Sequence, residues 1–386
     1  MNNTNAIIGY YSTQFGELWD KSLDDLIEEA FHGVLTETSL EKKQINAVFL
    51  GNMLGGVVEE TLLLSAHIAE CMDLHVPIYR VEAACASGGL AFQTAHEYLN
   101  SHPGETVLVL GAEKMTDVSS SEITKALASA ASSEEQSVGL TFPGVYALMA
   151  QHYLHTYGFN EEHLASISVK NHAHGTLNEK AHFRRLVSIA DVLESPYVAY
   201  PLKVLDSSPI SDGAAALILS NDPTLIKKEK TARVLASETA TDTISIAKRK
   251  RLDTLEATVI SSEKAFHKSK INHSQINIME VHDCFSIAEI LALEDLGFWE
   301  KGQGGRLAKE MVTSRESGNN LIVNTSGGLK AAGHPVGGTG IKQIGEVYLQ
   351  LTGKAGARQV PSSCSYGLAH NVGGSGGVAV VTILGI

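Results

Sequence analysis

The strongest constraint on this chain is that part of its sequence occurs twice. "INAVFLGNM" begins at Ile45 and "INIMEVHDC" at Ile276, an offset of 231 residues. "CASGG" begins at Cys85 and "HPVGG" at His334, 249 residues apart. "SDGAAALIL" begins at Ser211 and "SGGVAVVTI" at Ser375, 164 apart. Three matches in one order imply a duplicated unit, which restricts the fold to two similar halves. The fall in offset means that the first half carries about 85 extra residues between its second and third landmarks. They fall at 116–205, a stretch richer in His, Ser and charge. The expected division is a first half of 1–115 and 206–225, an inserted lobe of 116–205, and a second half of 226–386.

Each half reads as α/β. Short apolar runs bounded by turn residues predict buried strands over 46–53, 106–115, 214–221, 277–283, 321–327 and 377–384. Helical patterns alternate with them over 22–35, 91–99, 286–298 and 341–351. Alternation of this kind predicts mostly parallel sheets joined by right-handed crossovers. It places Cys85 and His334 at equivalent points, each at the start of a helix. If the halves pack about a pseudo-twofold axis, these two positions converge.

Composition excludes several functions. A net charge of −13 argues against a nucleic-acid or membrane-surface binder, though a local basic spot still permits a polyanionic small ligand. The four cysteines (Cys71, Cys85, Cys284, Cys364) are far apart and form no CxxC pair. That suits a reducing cytoplasm and predicts neither a metal site nor a disulfide. The N-terminal segment has no basic, then apolar, leader pattern, and no run reaches transmembrane length.

Four motifs carry chemistry. In "CASGG" a thiol precedes a helix, where unpaired N–H groups and a nearby imidazole would favour the thiolate. The small residues after it would let backbone donors approach a substrate, whereas a packing site would favour larger apolar neighbours. In "GGLKAAGHPVGGTG" (327–340) His334 lies in a glycine-rich loop, with Pro335 at the first helical position. In "EVHDCFSIAEI" (280–290) His282, Asp283 and Cys284 stand where a strand turns into a helix, and Asp283 could instead be a helix cap. "AHNVGGSGG" (369–377) reads as a glycine-rich turn into the last strand, rich in backbone donors.

Taken together these motifs resemble the thiolase superfamily over nearly the whole chain. The order "CASGG", "PISDGAAALIL", "GHP" and a final glycine-rich turn matches the family. The likeness is greater to the sterol-carrier-protein-2-type and archaeal acetoacetyl-CoA branch, which carries "HDCF" and "HNVGG". The resemblance implies a thiolase fold of two duplicated βαβ-type halves in a five-layer αβαβα arrangement with an inserted loop domain. It implies ping-pong acyl transfer between acyl-CoA and acetyl-CoA, with Cys85 as nucleophile and His334 as its base. Ordinary thiolases move the second proton with a cysteine where this chain has Asn371, so the resemblance makes Cys284 the candidate replacement and leaves Asn371 an auxiliary role, holding a water or a loop carbonyl. His282 and His334 would polarise the enolate oxygen. The N–H groups of Cys85 and Gly373 would form a second oxyanion hole. Ser208 matches a serine at the pantetheine arm, and Lys170, Arg184 and Arg185 are candidate phosphate partners. The "KRKR" run at 248–251 is expected to be a solvent face. Coenzyme A thioesters would be substrates, with no tightly bound cofactor. The family forms homodimers or homotetramers, and some archaeal relatives join a hydroxymethylglutaryl-CoA synthase and a small bridging protein. The competing readings are a decarboxylating 3-ketoacyl synthase and a non-catalytic CoA-binding subunit.

Overall fold

A computed structural model describes residues 5–226, 231–361 and 364–386. The first half contributes β1 (Ala6–Ser12), α1 (Leu23–Thr38), β2 (Ala47–Gly51), α2 (Leu64–Cys71), β3 (Ile78–Val81), α3 (Ser87–Ser101) and β4 (Thr106–Glu113). Five helices follow: α4 (Ser120–Ala128), α5 (Ser133–Ser137), α6 (Phe142–Tyr157), α7 (Glu161–Gly175) and α8 (Ile189–Glu194). A small hairpin of β5 (Tyr197–Ala199) and β6 (Leu202–Lys203) leads to β7 (Gly213–Ser220) and α9 (Pro223–Ile226). The second half runs β8 (Ala232–Thr241), α10 (Glu256–Ser269), β9 (Ile278–Glu280), α11 (Ser286–Asp295) and α12 (Gly304–Lys309). It ends with β10 (Ile322–Val323), α13 (Gly328–Ala332), α14 (Val336–Thr352), β11 (Tyr366–Gly373) and β12 (Val378–Gly385).

The duplication is visible in the strand order. One half runs β3-β2-β4-β7-β1 and the other β10-β9-β11-β12-β8. The two are joined into one sheet where Ala6 pairs with Arg233 and Ile7 with Ala232. The pairing is mixed, not mostly parallel. β2 is parallel to β3 and β4, and β9 to β10 and β11. β7 returns antiparallel to β4 and β1, and β12 returns antiparallel to β11 and β8. In the second half the reversal is a tight turn that uses Gly374 and Gly376 at positive φ, which glycine adopts without strain.

Helices α3 and α14 pack against each other and against both halves of the sheet, while α1 covers the first half and α10 the second. The layers therefore run αβαβα. Strand alternation serves two cores at once. On β4, Val107 and Val109 face the central helices, whereas Leu108, Leu110 and Ala112 face α1. On β7, Ala215, Leu217 and Leu219 face inward, and Ala214, Ala216 and Ile218 outward.

Glycine spacing sets how close the two central helices come. A Cβ on Gly88 would lie 2.6 Å from Gly337 O, and one on Gly340 would lie 2.2 Å from Gly89 N. Backbone meets backbone where α3 and α14 cross, so the glycines of "CASGG" and "HPVGG" are packing residues. This corrects the expectation that small residues there serve chiefly to admit a substrate. Only residues without a Cβ allow the two helix starts to touch.

Candidate active site

Cys85 and His334 occupy matching places: each stands one residue before the N-cap of its helix, Ala86 for α3 and Pro335 for α14. Pro335 is therefore a cap and not the first helical residue. His334 follows the short helix α13, whereas Cys85 follows β3 with only a turn between. Ala84 adopts φ +50, a left-handed conformation unusual for alanine. The turn is clamped by Ser87, whose hydroxyl accepts from Ala83 N–H at 2.9 Å and donates to Ala84 O at 2.5 Å. Such strain persists only where surrounding contacts impose it, and here it presents the thiol of Cys85.

Cys85, His282 and His334 each place one ligating atom (the sulfur or a ring nitrogen) within 4.8 Å of the others. The two imidazole rings lie 5.0 Å apart and nearly perpendicular. His334 is oriented through Thr339. That hydroxyl donates to Pro335 O at 2.9 Å, so its oxygen accepts from His334 Nδ1–H at 2.7 Å. Nε2 of His334 is left as a lone-pair base.

Burial disfavours the charged forms of these groups. It pushes the Cys85 thiol up to about 12, with the second sulfur of Cys284 adding to the rise, while Gly374 N–H works against it. Burial, with the Lys342 ammonium, brings His334 down to about 3. Burial, with the neighbouring His334 and His370 rings and the Lys342 ammonium, holds His282 well below the usual imidazole range. Desolvation thus opposes the thiolate that a helix start and a nearby imidazole would favour. The backbone N–H groups that reach the sulfur are those of Gly374 and of Cys85 itself, whereas Gly373 ends β11 with its Cα face against Ala83 O.

All three residues line a cavity of about 560 Å³, which also takes in Cys284, Tyr146, Lys330, Ser208, His172 and Arg185. A cavity of about 660 Å³ elsewhere, beside Tyr10, Lys180 and Arg358, is lined by no cysteine or histidine. Cys284 is buried, with its thiol raised to about 12 by desolvation, a rise that the Tyr146 hydroxyl and the Lys330 ammonium oppose. Tyr146 also donates to Gly374 O at 3.3 Å, which ties α6 to the glycine turn. Arg249 holds the other side of that turn through Ser375 O at 2.6 Å. Within "KRKR", Lys248 pairs with Glu134 and Arg251 with Asp253, so the run serves the surface and one structural clamp.

Lys330 and Tyr146 were not singled out from the sequence. The Lys330 side chain is 1 % exposed and donates to Asp206 O. Burial lowers its pKa while Asp283, Asp206 and Cys284 pull it up. Its sequence signal was a lysine inside the otherwise apolar "GGLKAAG". Asp283 caps α13, accepting Leu329 N–H at 2.6 Å and Asn171 Nδ2–H at 2.7 Å. Lys170 is buried against Glu289 at 2.7 Å, so it cannot serve as a surface phosphate partner. Arg184 is exposed and stands outside the cavity lining; Arg185 is exposed at its rim. Ser208 lines the wall, and its N–H donates to Cys284 O at 2.9 Å.

Two family profiles cover most of the chain: "Thiolase, N-terminal domain" matches residues 5–222 and "Thiolase C-terminal domain-like" matches 238–386. The acetyl-CoA acetyltransferase of Methanothermobacter thermautotrophicus is 44% identical over 383 residues, 98% of both chains. That of Methanocaldococcus jannaschii is 41% identical over 386 residues, also 98% of both. Sterol carrier protein 2 of Rattus norvegicus is 32% identical over 98% of this chain and 71% of its own length. Among solved structures, an Ltp2–ChsH2(DUF35) aldolase superposes with a TM-score of 0.85 at 20% identity, covering 99% of this chain and 98% of that one. Human mitochondrial 3-ketoacyl-CoA thiolase in complex with CoA gives 0.74 at 16%, covering 99% and 98%. A doubled αβαβα fold, with a cysteine and a histidine brought together by its two halves, thus agrees with profiles that span the chain, and the chain belongs to the thiolase family.

Proposed function

We propose that the chain is an acyl-CoA:acetyl-CoA C-acyltransferase that works by a ping-pong route through an acylated Cys85. The observation that carries this reading is the meeting of Cys85 with His334 and His282 in a cavity that also holds a second thiol, Cys284.

In the thiolytic direction His334 Nε2 takes the Cys85 proton as the sulfur attacks the 3-keto carbonyl. The C–C bond breaks, and Cys284 gives its proton to the carbon of the departing acetyl-CoA enolate. The Cys284 thiolate recovers a proton from the His334 imidazolium. Coenzyme A then enters, loses its thiol proton to His334 and attacks the acyl-cysteine. Cys85 leaves and takes that proton back. Condensation is the reverse, with Cys284 removing the methyl proton of acetyl-CoA. Burial raises the Cys284 thiol, and the Tyr146 hydroxyl, the Lys330 ammonium and the Phe285 N–H pull it back toward the range that proton transfer needs. Lys330 and Tyr146 stand where they would stabilise that thiolate. His282 supplies a donor to the enolate oxygen, and such a donor is worth ~3 kcal/mol.

Ser208, His172 and Arg185 form the proposed path for the CoA arm, and residues 116–205 the lobe that carries most of it. The acetyl-CoA acetyltransferase relatives support acetoacetyl-CoA as the first 3-keto substrate to test. A homodimer or homotetramer, a cytoplasmic location and a complex with a hydroxymethylglutaryl-CoA synthase and a small bridging protein belong to the same proposal. Among the described residues no helix is long and apolar enough to cross a membrane. The presence of Cys284 favours thiolysis over decarboxylation, which needs no base for an α-proton.

The test is thiolysis of acetoacetyl-CoA, together with mass spectrometry of protein treated with labelled acetyl-CoA. Acetyl label on Cys85 and cleavage of acetoacetyl-CoA are expected. Activity confined to a malonyl thioester, or no label at position 85, overturns the reading.

A further inference from the structure

Asn371 stands on β11, directly behind the cavity, and the hydrogen bonds of its side chain leave no freedom of assignment. Gly89 N–H can only donate, and it points at Oδ1 at 3.1 Å. The amide is therefore oriented with its NH2 group the other way. That nitrogen meets Cys85 O at 3.0 Å and His282 Nδ1 at 3.2 Å. An amide nitrogen carries two hydrogens and no lone pair for accepting. One hydrogen goes to the carbonyl and the other to the ring. Nδ1 of His282 must then be the bare nitrogen, and the ring proton sits on Nε2. Nε2 is buried and has no partner among the described residues. His282 is 1 % exposed.

We propose that Asn371 is a positioning residue that fixes the tautomer of His282, so that Nε2–H is a permanent donor aimed at the oxygen of the acetyl-CoA enolate. This rests on the acyl-transfer reading for the identity of that oxygen. The tautomer itself rests only on the hydrogen-bond network. The peptide groups of α3 set the amide, the amide sets the ring, and the ring presents its proton beside Cys85. A nitrogen that carries a proton cannot ligate a metal, so the same lock turns the Cys85–His282–His334 trio away from metal binding. A carboxylate at position 371 would do the opposite, because it would accept from Nδ1–H and leave Nε2 bare.

Two measurements test the proposal. The first uses the parent protein with 15N-labelled histidine. Ring proton–nitrogen correlation spectra, with His282 assigned by the signal lost in His282→Gln, should show a protonated Nε2 and a bare Nδ1. A bare Nε2 overturns the proposal whatever the activity. The second compares half-reactions in Asn371→Asp. The C–C bond step should fall ~100- to 1000-fold, the loss typical of one oxyanion donor, and by at least ~10-fold more than acylation of Cys85 by labelled acetyl-CoA, which loses only the amide contact to Cys85 O. Equal loss in both steps would mean that Asn371 only supports the fold. Failure of the parent to acylate would reject the acyl-transfer reading, and the spectrum of the parent would still decide the tautomer.

Discussion

The crossing of α3 and α14 should be the most sensitive point in the molecule, and Gly340→Ala tests it. A Cβ at Gly340 would stand 2.2 Å from Gly89 N, 2.3 Å from Asn371 Oδ1 and 2.9 Å from Gly88 C. Two of these neighbours are backbone atoms, so no side-chain rotation relieves them. Ordinary contact begins near 3.4 Å, and the helices must therefore separate by about 1.2 Å. Overpacking of this kind costs ~1–3 kcal/mol of stability. The larger effect should be on rate. Cys85 precedes α3 and His334 precedes α14, so separating the helices separates the nucleophile from its base. A misplacement near 1 Å costs on the order of 100-fold in an enzyme's chemical step. The assay is the rate of acetyl transfer to Cys85, measured beside the thermal midpoint. Gly158→Ala is the control. Gly158 has φ +71, and no atom lies within 4 Å of where its Cβ would stand, so the change should cost ~1–2 kcal/mol without touching the site. Gly340→Ala should acylate ~100-fold more slowly than a control of equal stability. Equal rates would refute the claim that the glycine crossing sets the Cys85–His334 geometry.

Other outcomes follow from the same arrangement. Cys284→Ala should abolish formation and cleavage of the C–C bond while acylation of Cys85 survives, checked by separate half-reaction assays. Lys330→Met should slow the C–C step by roughly 10- to 100-fold, the scale of removing one nearby charge from a buried thiolate, with acylation changed less. Arg185→Ala should raise KM for CoA thioesters and leave KM for truncated pantetheine thioesters unchanged. Stability should fall as the medium is acidified. Burial lowers His334 and His370 to about 3, and His174 likewise, against 6.5 for the unfolded chain. A depressed pKa adds stability that is present above pH 6.5 and lost as pH falls toward 3. At pH 5 each such histidine costs about 2 kcal/mol. Three buried carboxyls work the other way: Glu113 is raised to about 7, Asp295 to about 6, and Glu280 is raised as well, and their contribution is lost as pH rises through those values. With His96 and His172, each lowered to about 4, five buried histidines outnumber these three acids, so urea midpoints should drop between pH 7 and pH 5; a flat profile would refute the burial assignment.

The parts of the fold legible in sequence were those whose signal is local. Strands β2, β4, β7 and β12 are apolar runs between turn residues, and long helices such as α14 carry their own periodicity. What escaped is held by tertiary context. β1 contains Gly9 and a shift in register beside it. β3 is a four-residue edge strand with no fully buried residue. β8 mixes buried and half-exposed residues along its length. β11 looked like a turn because it ends in glycine, yet "AHN" is strand, and only there does Asn371 face both Cys85 and His282. Lys330 and Tyr146 escaped for a related reason. A lysine in an apolar segment reads as a surface cation until burial shows it beside a thiol. A tyrosine on α6 reads as core until its hydroxyl is found between Cys284 and Gly374.

The duplication is what made the site itself legible. An unduplicated chain gives no reason to join a cysteine at 85 to a histidine at 334. Once the repeats are aligned, both residues fall at the same structural address, and a twofold packing brings equal addresses together at one axis. The copies have since diverged in charge and chemistry, thiol in one and imidazole in the other, while both kept the glycines that let their helices touch. Packing and reactivity therefore share the same few residues. Substituting any glycine at the crossing should disturb the chemistry as much as the fold, whereas substituting the reactive side chains should disturb the chemistry alone.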